Sequence, residues 1–303
     1  MFQYFLLTRP SLSSIINTTY GRKAGIFLVE ITNLVDNEHH IIRESLGMFS
    51  VIEHKSDLSV ASDNAMEEYF MREMNVLRRQ LMVKLTGEHG AVIQAGAMQW
   101  MAGNVNATTG VKGVGDLFGK TFRGITSEET IIKPEYQGNG ILMLEPTYKY
   151  ILLEDISSWE GGLVMENGMF LACYDNVKHK IQPLKTVSSM MLGGEKFFNL
   201  KLVGNGICAL ESNVPRTEII EVRLQNDVLK IDGSFAICWS GNLEFTVERA
   251  GKTLMGSYAS GEGLVNTYFG TGKVWISPLT PTGTLEEATH DSDRSEFDEA
   301  ATR

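Results

Sequence analysis

The 303-residue, 33.6 kDa chain is 43% hydrophobic and 21% charged, which is enough to bury a core and excludes disorder for its bulk. Thirty glycines against seven prolines favour many tight turns between strands over Pro-rich linkers. A formal net charge of −10 sets DNA, RNA and acidic membranes aside as default partners.

The N-terminus, MFQYFLLTRPSLSS, has no positive charge ahead of its short apolar stretch, so it is a poor secretory signal. It is free of acids until Glu30 and carries Arg9, Arg22 and Lys23, a weak echo of a mitochondrial presequence. Ala24–Leu34 reads as a strand. Asn64 followed by Glu67 predicts a capping box for a helix over Ala65–Arg79, with Met66, Phe70, Met74 and Leu77 on one face. This extension is expected to cover a sheet edge or a subunit contact.

From Leu81 onward the chain repeats. Gly-x-Gly occurs at Gly138/Gly140, Gly204/Gly206 and Gly270/Gly272, 66 residues apart each time, and GNGILMLE and GNGICALE share six of eight residues. A second marker, Gly103, Gly168 and Gly233, recurs every 65 residues, and MFLACY after Gly168 matches SFAICW around Gly233. The segment from Gly270 to Pro278 reads as a closing fragment. Apolar runs of four to seven residues broken by Gly, Asn and Asp predict short antiparallel strands. Asn167-Gly168 and Asp232-Gly233 have the chemistry of type I′ hairpin turns. The tail from Thr284 holds seven acids against Arg294 and Arg303 and reads as disordered. The chain thus divides into an N-terminal extension (1–80), a repeated β body (81–280) and an acidic tail (281–303).

No catalytic constellation emerges. GVGDLFGKT (113–121) leaves three residues, not four, between Gly115 and Gly119-Lys120-Thr121, and lacks the flanking strand and helix of a phosphate-binding loop. The three Gly-x-Gly pairs do not continue into a dinucleotide fingerprint, and backbone geometry explains their recurrence better. Ser257, Ser260 and Glu262 lack a nucleophile elbow and a nearby histidine. Glu154/Asp155 and Glu128/Glu129 sit in runs without spacing logic. Cys173, Cys208 and Cys238 lie in apolar segments and read as buried thiols in a reducing compartment. The six histidines have no metal-ligand spacing, and adjacent His39 and His40 read as a solvated pair. Trp100, Trp159, Trp239 and Trp275 could stack on bases, but strand-like context favours packing for Trp239 and Trp275.

VIQAGAMQWMAGNV (92–105), Phe118-Gly119-Lys120, YQGNGILMLEP, NGMFLACYDNV and SGEGLVNTYFGTGKVWI (260–276) together resemble the AIM24 family, also known as DUF124, over roughly Leu81 to Pro278. The resemblance implies an all-β fold similar to the tryptophan RNA-binding attenuator protein: a double-stranded β-helix, duplicated in one chain and assembled as a homotrimer. It implies no established enzymatic activity, no cofactor and no family catalytic residue. Prokaryotic relatives are presumed cytoplasmic, eukaryotic ones mitochondrial. The expectation is therefore a non-enzymatic oligomeric β scaffold with a protein partner and no transmembrane segment. A small-ligand or RNA-binding ring is the alternative by fold analogy, and a hydrolase or cupin-like enzyme ranks last.

Overall fold

The computed structural model describes residues 29–35, 37–108, 133–183, 198–232, 235–249 and 264–279. The expected strand over Ala24–Leu34 is not formed over its described part. Instead Asn33 takes a left-handed φ of 63°, and Ile31, Leu34 and Val35 pack against Ile52, Met82, Ile141 and Met143. β1 (His40–Leu46) and β2 (Phe49–His54) form a hairpin around Gly47. Next come α1 (Ala65–Glu73), β3 (Arg79–Thr86) and the short β4 (Ala91–Ile93). β2 pairs with β3, so the hairpin covers an edge of the β body.

Three long antiparallel ribbons follow. The first is β5 (Met98–Thr108) against β6 (Glu135–Leu144). β7 (Tyr150–Asp155), a 3-10 turn (Ile156–Ser158) and β8 (Leu163–Met165) lead into the second. It runs out through β9 (Phe170–Tyr174) and β10 (Lys178–Pro183), and back through β11 (Phe198–Val203) and β12 (Ile207–Ser212). β13 (Ile220–Asp232) leads into the third, which runs out through β14 (Ala236–Ser240) and β15 (Glu244–Arg249) and returns along β16 (Leu264–Ile276). The first sheet has the order β1-β2-β3-β6-β4-β9-β12-β7, with β5 also on β6; the second is β10-β11-β8-β14-β16-β13, with β15 also on β16. Both are antiparallel and curled, and the fold is all-β. Among the described residues no helix is long and apolar enough to cross a membrane.

The Gly-x-Gly pairs mark the same place on each returning strand. Gly138 stands opposite Val105 in the first ribbon. In the second, Cys173↔Cys208 and Lys178↔Val203 keep one register across a break, which sets Gly204 against Val177. In the third, Trp239↔Val274 and Glu244↔Phe269 keep one register, which sets Gly270 against Leu243. Gly138, Gly204 and Gly270 have φ of 124°, 128° and 126°, a region that side chains disfavour. At Gly138 a Cβ would also run into the Asn104 carbonyl. The motif is thus a strand bend, as backbone geometry requires.

Three readings need correction. The stretch after Gly270 is no closing fragment: β16 carries β13 along one edge and β14 and β15 along the other. Gly103 is not a copy of Gly168, since it lies inside β5 opposite Gly140. The counterpart of Gly168 (φ 78°) is Gly96 (φ 80°), and both close a turn, Met169 N donating to Glu166 O at 3.4 Å and Ala97 N to Gln94 O at 3.1 Å. Finally, Asn167-Gly168 is not a type I′ hairpin turn. Asn167 is absent from the positive-φ residues, and the turn joins β8 of the second sheet to β9 of the first. Gly233 lies outside the described residues.

The central strands β8, β9 and β14 are buried on both faces, which explains their continuous apolar runs. In β8, Leu163 and Met165 enter the cluster with Trp159, Cys173 and Trp275, while Val164 enters the one with Trp239, Tyr268 and Val274. A third cluster, including Phe49, Leu81, Val83, Leu142 and Leu153, lies within the first sheet.

Candidate functional site

One concave surface is built by α1 and the segment before it. Asn64 does not cap the helix: its backbone is helical (φ −95°, ψ −3°) and its side chain makes no cap bond, so the capping box does not form. The helix stops at Glu73 rather than Arg79, where Asn75 turns left-handed at φ 62°. None of its residues is buried, and Met66, Phe70 and Met74, read as one apolar face, are 73%, 59% and 77% exposed. Tyr69 on α1 and Leu58 in the segment before it are exposed as well.

Polar contacts, not packing, hold this helix to the body. Arg78 Nη2 donates to Glu68 Oε1 at 2.6 Å, its Nη1 pairs with Asp57, and its Nε donates to the Tyr148 hydroxyl at 2.7 Å. That hydroxyl donates in turn to Glu68 Oε1 at 2.7 Å. Asp57 is held below the usual carboxylate range, first by hydrogen bonds from the Ser59 hydroxyl and amide. One residue on, Arg79 is buried with Glu53 (Nε to Oε2 3.2 Å) and lies 4.0 Å from the Tyr150 ring centre, a paired arrangement suited to a buried charge.

A cavity of about 220 Å³ lies between α1, Leu58, Val76 and Tyr148. It shares His54, Asp57 and Arg78 with a second of about 450 Å³ lined by His39, His40, Gln80 and Gln99. His39 and His40 are half-buried: His39 Nδ1 bonds Ser56 Oγ at 2.6 Å, and the His40 ring stands edge-on to His54 at 4.5 Å. His54 Nε2 meets Gln80 Oε1 at 2.7 Å, and burial lowers its pKa. No group of three metal-capable side chains converges among the described residues.

The other singled-out residues lie apart from this groove. Trp159 and Trp275 meet edge-on at 4.9 Å in the core, with Lys273 Nζ 4.1 Å from the first ring centre and the Arg216 guanidinium 4.5 Å from the second. Glu154 accepts from Trp159 Nε1 at 3.1 Å and pairs with Arg216, while Asp155 caps the 3-10 turn through the Ser157 amide. Trp239 stacks on Phe245, and Trp100 packs at the outer cluster with Ile52 and Met82. The four tryptophans thus form no common stacking surface. Cys173, Cys208 and Cys238 are free and buried, and burial pushes all three thiols up. Sequence reasoning found no basic group near them, yet His179 Nε2 lies 3.5 Å from Cys173 Sγ. Burial and then Lys133 hold His179 down to about 4, so the pair is neutral, unlike an activated thiolate–imidazolium. Residues 113–121, Glu128/Glu129, and Ser257, Ser260 and Glu262 lie outside the described residues.

The family model for mitochondrial biogenesis AIM24 matches residues 74–279. The chain belongs to the AIM24 family. It is 27% identical over 242 residues to an uncharacterised protein of Streptococcus pyogenes serotype M6, covering 77% of this chain and 93% of the relative. In fold it is similar to a crystal structure of a Streptococcus pyogenes protein (TM-score 0.50, 24% identity), over 72% of this chain and 94% of the other. The AIM24 match begins at Met74, one residue after α1. The groove therefore straddles its boundary: Asp57 and Glu68 come from before it, Arg78 and Tyr148 from within.

Proposed function

We propose that this AIM24 protein is a non-enzymatic β scaffold that assembles with copies of itself and offers the α1 groove to a protein partner. One observation carries the reading: Met66, Tyr69 and Phe70 on α1 and Met74 at its C-terminal cap are exposed, on a helix without a single buried residue, and Leu58 is exposed in the segment before it. Large contiguous apolar patches are unfavourable in water and mark contact surfaces. The charges that line the groove already bind one another, which suits a fixed platform better than a reacting centre. The acids Glu67, Glu68 and Glu73 on α1 favour a protein surface over an anionic membrane. Three unpaired cysteines suit a reducing compartment such as the cytoplasm.

Native mass spectrometry of the purified full chain tests the reading. The AIM24 resemblance sets the expectation at three copies without added mass. A monomer overturns the assembly, and a stoichiometric bound small molecule points to a ligand-binding or enzymatic role instead.

A further inference from the structure

Two contacts within the chain match residue for residue. β9 lies antiparallel to β4, with Tyr174, Cys173 and Ala172 opposite Ala91, Val92 and Ile93. β14 lies against β8 likewise, with Ser240, Trp239 and Cys238 opposite Leu163, Val164 and Met165. In each case a strand that precedes one ribbon clasps the outgoing strand of the next. The first and last ribbons leave this series open. Among the described residues β5, the outgoing strand of the first, pairs with β6, and β13, which precedes the third, pairs with β16.

The glycine markers fix the equivalence. Gly96 and Gly168 close corresponding turns, and Gly138, Gly204 and Gly270 bend corresponding strands. Counting from them, Tyr174, Cys173 and Ala172 correspond to Ala102, Met101 and Trp100 on β5, and Leu163, Val164 and Met165 to Leu229, Lys230 and Ile231 on β13. Cys173 and Trp239 are 0% and 3% exposed, whereas their counterpart Met101 is 45% exposed. Edge strands are ordinarily protected by charge or proline. β1, β7, β10, β13 and β15 all carry charged residues; the eleven residues of β5 include no charge and no proline.

We propose that β5 pairs with β13 of a second copy of this chain, setting Trp100, Met101 and Ala102 opposite the partner's Ile231, the partner's Lys230 and the partner's Leu229. This rests on the oligomeric reading above and specifies its interface. Such a contact is head-to-tail, which closes into a ring where the rotation between copies divides a full turn, and each junction between copies repeats the junctions inside them. Lys230 stands where β4 and β8 have valine. Its aliphatic stem covers the partner's Met101.

The test is cysteine pairing in the full chain. Met101→Cys combined with Lys230→Cys, oxidised with diamide, is expected to give disulfide-linked multimers by non-reducing mass spectrometry, with none from wild type or from either single variant. Linked dimers from Met101→Cys alone overturn the pairing, because they place β5 against itself. As a second measure, Met101→Asp is expected to weaken association about tenfold on dilution; unchanged association overturns the proposal. A monomeric wild type removes the oligomeric reading and this one with it. An oligomer that neither links nor responds to aspartate removes the strand pairing alone.

Discussion

The helix α1 and the strand β14 are both rich in large apolar side chains, yet none of the nine helical residues is buried and all five strand residues are. β14 has β8 on one side and β16 on the other, and both its faces meet core clusters. α1 touches the body at one polar corner, through Arg78, Asp57, Glu68 and Tyr148. An apolar residue stabilises a fold only to the extent that neighbours remove it from water. Apolar side chains are core in one place and exposed in the other.

Substitutions of unequal effect can break or sharpen that contrast. Trp275→Ala removes a ring that is 2% exposed and packed on Trp159, and is expected to cost about 3–5 kcal/mol in a urea titration; a loss near 1 kcal/mol contradicts the tight core. Arg78→Met deletes the polar corner. At a half-buried site it is expected to cost about 1 kcal/mol, while limited proteolysis of residues 55–78 speeds up and the β body stays intact. Equal loss of body and helix would show them to be one unit.

The pH dependence of the body has a smaller, signed effect. Burial raises the Glu166 carboxyl from 4.5 to about 7. The folded chain therefore keeps a proton that the unfolded chain releases, and stability falls as pH rises through that window. Glu166→Gln is expected to flatten the fall, as measured by urea midpoints at pH 5 and 8. His179, lowered from 6.5 to about 4, acts oppositely: its contribution is present above 6.5 and is lost as pH falls toward 4. Smallest of all, Phe70→Ser on α1 is expected to change stability by no more than about 0.5 kcal/mol; a larger loss would mean that α1 is packed after all.

What the sequence revealed followed the range of the interactions involved. FLACY and FAICW were legible as buried runs because two covered faces demand continuous apolarity. The apolar face of α1 was legible from its period, but not its exposure, which depends on what the rest of the chain brings near. The Asn64/Glu67 pattern failed because the backbone at Asn64 is already helical, leaving its side chain out of capping geometry. Gly103 passed for a marker because a longer excursion between β5 and β6 shifts the true counterpart, Gly96, off the 65-residue spacing. His179 escaped notice beside Cys173 because the two are joined only by the break between β9 and β10.

The second ribbon has a mechanical consequence. Its near half, β9 with β12, belongs to the first sheet, and its far half, β10 with β11, belongs to the second. Neither sheet can come apart without pulling on strands that the other holds. Amide hydrogen exchange at Cys173 and at Leu202 should therefore report the same opening event, with one slow class spanning both sheets.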